Sequence, residues 1–368
     1  MHRFGLVLAG LVLAISSLAQ FPERRWSVIG ARGFIYAHTQ DVENTRGAQP
    51  TGIQVDYAWR RTDSSFFKKL NGLPTQGISL HVFDYNNEVL GNTIGASYFI
   101  EPSIRFSNHT GIMMRAQIGF SYHNRPFHPT RNPNNNSYST HINSYLALGA
   151  YPYLQLNRHW QLFAGAQYRH ISNAGLSMPN KGINWITGEL GLAFFPTGKQ
   201  PTKELTKQYQ SISFEKGTEL DIIAFGSVRS LDADSEARFG IWGLGLQKTF
   251  ITNRTHAWTL GAEWIQDHAL AHQISRGNHV EPAGRLGILG GHQFVWGRLR
   301  FSQQLGVYAI RPSSEIPIWY HRWGLQYQVG KNNAVGVYLL AHRHVAQFPD
   351  IRWIQTIQRT TKRVNLRE

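Results

Sequence analysis

The chain has 368 residues, no cysteine and a formal net charge of +15. The missing cysteines exclude a disulfide framework and a thiolate metal site. So basic a chain invites a nucleic-acid partner, but its Lys and Arg residues are scattered instead of clustered and its N-terminus reads as an export signal, so anionic lipid headgroups, such as the phosphates of lipopolysaccharide, are the better match.

Residues 1–19 begin with His2 and Arg3, continue through an apolar run from Phe4 to Ile15, and end Ser17-Leu18-Ala19 before Gln20. That order is a secretory signal peptide with cleavage after Ala19. No cysteine follows the cleavage site, which excludes a lipoprotein anchor. No later stretch approaches about 18 uncharged apolar residues, so a spanning helix is not expected. Aromatic residues make up 12% of the chain, yet its mean hydropathy is only −0.33. A transmembrane barrel has this balance, because a polar lumen and polar loops dilute its apolar outer face.

From Arg25 onward the chain reads as short alternating segments separated by turns. They fall at residues 27–37, 51–61, 77–84, 92–106 and 111–123. The last is the cleanest: Ile112, Met114, Ala116, Ile118, Phe120 and Tyr122 oppose Met113, Arg115, Gln117, Gly119, Ser121 and His123. Side chains alternate faces along a strand, so this pattern predicts one apolar and one polar face. No amphipathic helix is expected anywhere. Residues 124–139 hold three prolines and five asparagines, which marks a long polar loop on the outer side of the membrane. The run Tyr138-Ser139-Thr140-His141-Ile142-Asn143 then leads into a strand at 144–156.

The next strand starts at Trp160. Its even positions, Trp160, Leu162, Ala164, Ala166 and Tyr168, are apolar, and His170 and Ser172 continue that face. An imidazole beside a hydroxyl is the minimum for a base-activated nucleophile. A loop with Gly175, Pro179, Asn180 and Gly182 returns the chain into a strand whose apolar face carries Asn184, Ile186, Leu190 and Leu192. Glu189 lies on the other face. Parity therefore nominates Asn184, and not Glu189, as the group that orients the imidazole.

The extended pattern H-x-S-N-A-G-x(4)-N-x-G-x-N, from His170 to Asn184, resembles the active-site segment of the lipid A 3-O-deacylase (PagL-like) family, outer-membrane barrels related to acyloxyacyl hydrolases. The resemblance is strongest over residues 135–195. It implies that His170 is the base, Ser172 the nucleophile and Asn173 part of the oxyanion hole, helped by backbone N–H groups at Ala174 or Gly175, with Asn180 in support. The family usually has Glu where this chain has Asn184. Outer-membrane phospholipase A also has an H-x-S-N motif, with Asn as the third member. An amide can fix an imidazole tautomer, although it stabilises imidazolium less than a carboxylate does. The Ser/Thr-His-x-Asn run around His141 is also similar to these barrels, which makes His141 a weak candidate for contact with substrate.

Residues 196–216, rich in Lys, Gln and Thr, are an unusually long turn and a possible boundary after an eight-strand half. Alternation resumes unchanged at 219–228, 238–250, 257–267, 282–295, 298–310, 319–329, 334–344 and 350–359, so one all-β, antiparallel transmembrane barrel of 12–16 strands over residues 20–368 is the preferred reading. The chain ends Asn365-Leu366-Arg367-Glu368 without a terminal aromatic residue, so either Arg359 ends the last strand and a basic tail at 360–368 follows, or insertion uses a different signal.

Other constellations are weaker. His268 and His272 stand four apart, a spacing that binds zinc only on a helix, and the segment reads as a strand end. His342 and His344 share a face without an evident third ligand. Asp232 and Asp234 are too few for a calcium loop. Trp258 and Trp264, and likewise Trp319 and Trp323, share parity and suit an interfacial girdle better than a sugar site. The expectation is an outer-membrane serine esterase acting on lipid A or another outer-leaflet lipid, with no cofactor, no metal and no nucleic-acid partner. Its rivals are a phospholipase A, for which calcium would be the cofactor, and a non-catalytic porin-like barrel.

Overall fold

A computed structural model of the chain describes residues 23–37, 39–70, 72–199, 214–230, 237–274, 283–343 and 345–364. The expected signal peptide, Asp232, Asp234, His344 and residues 365–368 of the expected tail lie outside the described residues. Long period-two segments become strands nearly where alternation places them. They are β1 (Glu23–Ile35), β2 (Thr51–Arg60), β3 (Thr75–Asp84), β4 (Asn92–Glu101), the short β5 (Ser103–Arg105), β6 (Thr110–His123), β7 (Ile142–Gln155), β8 (Trp160–Ser172) and β9 (Ile183–Phe194). After the 195–213 connection come β10 (Phe214–Arg229), β11 (Phe239–Ile251), β12 (His256–Asp267), β13 (Gly284–Trp296), β14 (Leu299–Ile310), β15 (Trp319–Gln328), β16 (Asn333–His342) and β17 (Val345–Val364).

Pairing divides these strands into two closed rings. In the first, the order β4-β3-β2-β1-β9-β8-β7-β6 closes because β4 also pairs with β6, from Thr93↔His123 to Ile100↔Ala116. In the second, β10 to β17 pair in sequence and β17 returns to β10. One barrel of 12–16 strands is thus corrected to two barrels of eight. The reason is physical: alternation reports each strand's faces, while closure depends on which distant edges bond, here β1 with β9 and β10 with β17. Two further corrections concern local structure. Residues 360–364 are not a tail but the end of β17, paired with residues 214–218. Among the described residues two seven-residue α-helices occur, Ser64–Leu70 and His268–Ile274, so the His268–His272 segment is helical. Among the described residues no helix is long and apolar enough to cross a membrane.

Both barrels are turned inside out relative to a soluble sandwich. Leu80 and Leu190 on the first, and Leu260 and Val337 on the second, are exposed, whereas Arg115 and Arg322 are buried. Trp258, Trp264, Trp319 and Trp323 all face outward. Apolar-out, polar-in alternation is the pattern of a transmembrane barrel. The interiors are filled by matched charges. Arg115 meets Asp56 at 2.7 Å and Glu101 at 2.6 Å, and Glu101 also accepts from Arg25 at 2.5 Å. In the second barrel Arg352 links Asp350 (2.7 Å) to Glu263 (3.2 Å), and Arg322 binds Glu263 at 2.9 Å and pairs with Asp350. Removing one partner from such a pair strands a buried charge and costs about 3–5 kcal/mol.

Candidate functional site

The β8–β9 register sets His170 directly opposite Asn184, within the short cross-strand distance that lets paired side chains touch. Both residues continue the outward face. His170 Nδ1 lies 2.6 Å from Asn184 Oδ1, and His170 Nε2 lies 3.2 Å from Ser172 Oγ. The amide oxygen accepts, so Nδ1 carries the proton and the bare Nε2 lone pair faces the hydroxyl, the tautomer a general base requires. Glu189 points into the lumen as parity predicts, where it pairs with Arg169 and accepts from Tyr151 at 2.7 Å. Ser172 and Asn184 are only 7% and 8% exposed, so the site is tucked beneath its own loop instead of lying bare on the wall.

Sequence reasoning missed the groups that hold this triad. Tyr168 donates its hydroxyl to Asn184 Oδ1 at 2.7 Å, reaching diagonally across the pair. It shares parity with His170 and Ser172, and that was the available signal. Ser144, opposite Ser172 on β7, donates to the Ser172 carbonyl at 2.6 Å. Gly182 must be glycine: its φ is +70° and an added Cβ would lie 2.9 Å from His170 Cε1.

The turn after β8 supplies the remaining polar groups. Ala174 N–H points at Ser172 Oγ (3.3 Å). Asn173, nominated as an oxyanion donor, spends its side chain within the loop. Its Nδ2 donates to the Ser177 carbonyl (2.8 Å) and Ser139 Oγ (3.2 Å), and its Oδ1 accepts Gly175 N–H (3.0 Å). Asn180 Oδ1 accepts the Asn173 N–H at 2.9 Å. Asn173, Gly175 and Asn180 are therefore braces here, and Ala174 N–H is the donor aimed at the nucleophile.

The 124–141 loop clamps the far end of the same segment. Its Asn136 and Ser137 carbonyls accept Lys181 N–H (3.0 Å) and Gly182 N–H (2.8 Å). Tyr138 anchors that loop by donating to the Leu90 carbonyl at 2.7 Å, and burial pushes its phenol pKa up, which keeps it a neutral donor. His141 is seated elsewhere. Its Nδ1 meets the His123 carbonyl at 2.8 Å and its ring stacks on Tyr122. His268 and His272 are both exposed on their helix, and among the described residues no three His, Asp or Glu side chains gather to hold a metal.

Two family models match the chain. The lipid A 3-O-deacylase (PagL) model covers residues 53–193, which include the whole triad, and the model of the acyloxyacyl hydrolase C-terminal domain covers 218–356. Among solved structures, the chain is similar to the outer membrane enzyme PagL, with 16% identity over 45% of this chain and 97% of that one (TM-score 0.33). It is also similar to the beta domain of the Bordetella autotransporter BrkA, with 8% identity over 92% and 99% (TM-score 0.26). A third similarity is to Acinetobacter baumannii Omp33, with 10% identity over 92% and 100% (TM-score 0.18). No curated protein matches the chain.

Proposed function

We propose that this chain, which belongs to the lipid A 3-O-deacylase (PagL) and acyloxyacyl hydrolase family of outer-membrane β-barrels, is a serine esterase that removes an ester-linked acyl chain from lipid A. The observation that carries this reading is the hydrogen-bonded His170–Ser172–Asn184 set on the outward face of β8 and β9, inside the region matched by the deacylase model.

His170 Nε2 takes the Ser172 proton as Oγ attacks the ester carbonyl. Negative charge gathers on the carbonyl oxygen next to Oγ, and Ala174 N–H, which approaches Ser172 Oγ at 3.3 Å, is the proposed donor to it; one such donor is worth about 3–4 kcal/mol. The protonated imidazole then returns its proton to the departing sugar hydroxyl, leaving acyl-Ser172. Water, deprotonated by the same nitrogen, cleaves that ester and releases the fatty acid. Asn184, itself held by Tyr168, keeps Nδ1 protonated throughout. An outward-facing site suits a substrate already in the outer leaflet, since the acyl ester can approach sideways without entering the filled lumen.

One feature favours a second reading. The third member is an amide, as in the phospholipase type, so a phospholipase A with calcium as cofactor is the alternative. Mass spectrometry of lipid A and phospholipids after incubation with purified protein, with and without calcium and beside Ser172→Ala, separates them. Loss of one acyl chain from lipid A, abolished by the substitution, supports the deacylase. Lysophospholipid with intact lipid A moves the assignment to the phospholipase, and no change in either lipid removes the enzyme reading.

A further inference from the structure

The turn that aims Ala174 N–H at Ser172 is strained. Leu176 N–H closes it onto the Asn173 carbonyl at 3.2 Å, and its two central residues, Ala174 and Gly175, have φ of +58° and +88°. Positive φ at both centres is the geometry of a mirror-image turn, which glycine tolerates and alanine does not favour. A non-glycine residue held there is disfavoured and persists only where its surroundings over-determine it.

Part of the bracing comes from the first barrel, through Asn173 and Ser139. The rest comes from the second. The Arg238 guanidinium, one residue before β11, donates to the Leu176 carbonyl. From β17 the Gln347 backbone approaches so closely that a Cβ on Gly175 would sit 3.0 Å from its carbonyl oxygen. At the opposite rim the two halves also touch, with Arg254 lying 5.6 Å over the Phe67 ring, so the second barrel is braced against the first at both ends.

We propose that Arg238 is a positioning residue of the hydrolytic site, and that the second barrel serves the reaction by locking the 173–176 turn in the conformation that presents Ala174 N–H. The inference rests on the esterase reading above. Arg238 touches neither nucleophile nor base; it fixes the Leu176 peptide, and through it the turn. Because the donor is needed most when charge develops on the carbonyl oxygen, loosening the turn lowers kcat and leaves KM nearly unchanged.

The test uses full-length protein in detergent micelles with a short-chain p-nitrophenyl ester. Arg238→Ala is compared with Arg238→Lys, and covalent labelling of Ser172 by a fluorophosphonate is followed alongside. Heat-modifiable gel mobility verifies that each variant is folded. Arg238→Ala should lower kcat about tenfold with KM within twofold, slow labelling in parallel, and be partly rescued by Lys, which keeps a charged donor. Full kcat in folded Arg238→Ala, or a loss confined to KM, overturns the positioning role while the esterase stands. Should Arg238→Ala fail to fold, Arg238→Lys decides alone: an intermediate kcat at unchanged KM supports the clamp, and wild-type kcat overturns it. Wild-type protein that neither hydrolyses the ester nor labels at Ser172 overturns the esterase reading, and this inference with it.

Discussion

On the outer face of the first barrel, His170 stands between an amide and a hydroxyl. On the outer face of the second, His256 Nδ1 lies 2.9 Å from His292 Nε2, and Gln303 Nε2 lies 3.5 Å from His292 Nδ1. The second group packs its imidazoles together and against Trp258 and Phe294; the Thr252 hydroxyl reaches only the His256 backbone carbonyl, at 3.1 Å, and not an imidazole nitrogen. Both barrels have eight strands, apolar walls and arginine–carboxylate interiors. What separates them is therefore not the fold. On the proposed reading, a hydroxyl two residues from a histidine, an oriented amide opposite it and a braced turn distinguish the first group from an imidazole in the same kind of wall without them.

The sharpest way to break that contrast is substitution at the two histidine groups. Ser172→Ala or His170→Ala should cut ester turnover by at least about 10⁴-fold, whereas His292→Ala should leave it unchanged, as measured with p-nitrophenyl ester in micelles. A large loss in His292→Ala would mean the second barrel holds chemistry of its own. Asn184→Ala comes next, at about 100-fold in kcat, because the imidazole loses its fixed tautomer. Supplying a carboxylate with Asn184→Asp should retain activity within about tenfold, and inactivity there would deny the orienting role.

The interiors predict equality instead of contrast. Arg169→Ala strands Glu189, and Arg322→Ala leaves the Glu263 and Asp350 carboxylates to share Arg352 alone, so each should destabilise its own barrel, by about 3–5 kcal/mol. Urea unfolding in detergent, followed by tryptophan fluorescence, reads this as two lowered midpoints; a wild-type midpoint in either variant would show that barrel's network to be dispensable. Smallest is Tyr168→Phe. Losing one hydrogen bond of about 1 kcal/mol to Asn184 should lower kcat about fivefold, and an unchanged rate would confine Tyr168 to packing.

Much of this could be read along the chain, because a strand writes its two faces at period two. The outward direction of His170, Ser172 and Asn184 and the inward direction of Glu189 followed from parity, since neighbouring positions on one strand cannot exchange faces. The helices escaped: Ser64–Leu70 and His268–Ile274 have only seven residues each, too short to show a clear 3.6-residue rhythm. The role of Asn173 escaped as well. An asparagine in a turn has both a donor and an acceptor, and only the positions of Ser139, Ser177 and Gly175 show that both are spent.

The local pattern thus settled strand and face and nominated the residues of the proposed site, each a property of a few adjacent positions. Closure into two rings, the engagement of Tyr168 with Asn184, and the reach of Arg238 to Leu176 join residues from 16 positions apart (Tyr168 and Asn184) to 168 (Trp26 and Phe194, in the pairing of β1 with β9). Contacts over such separations are selected by the geometry of the whole sheet and leave no period in the sequence, so they came only with the folded chain.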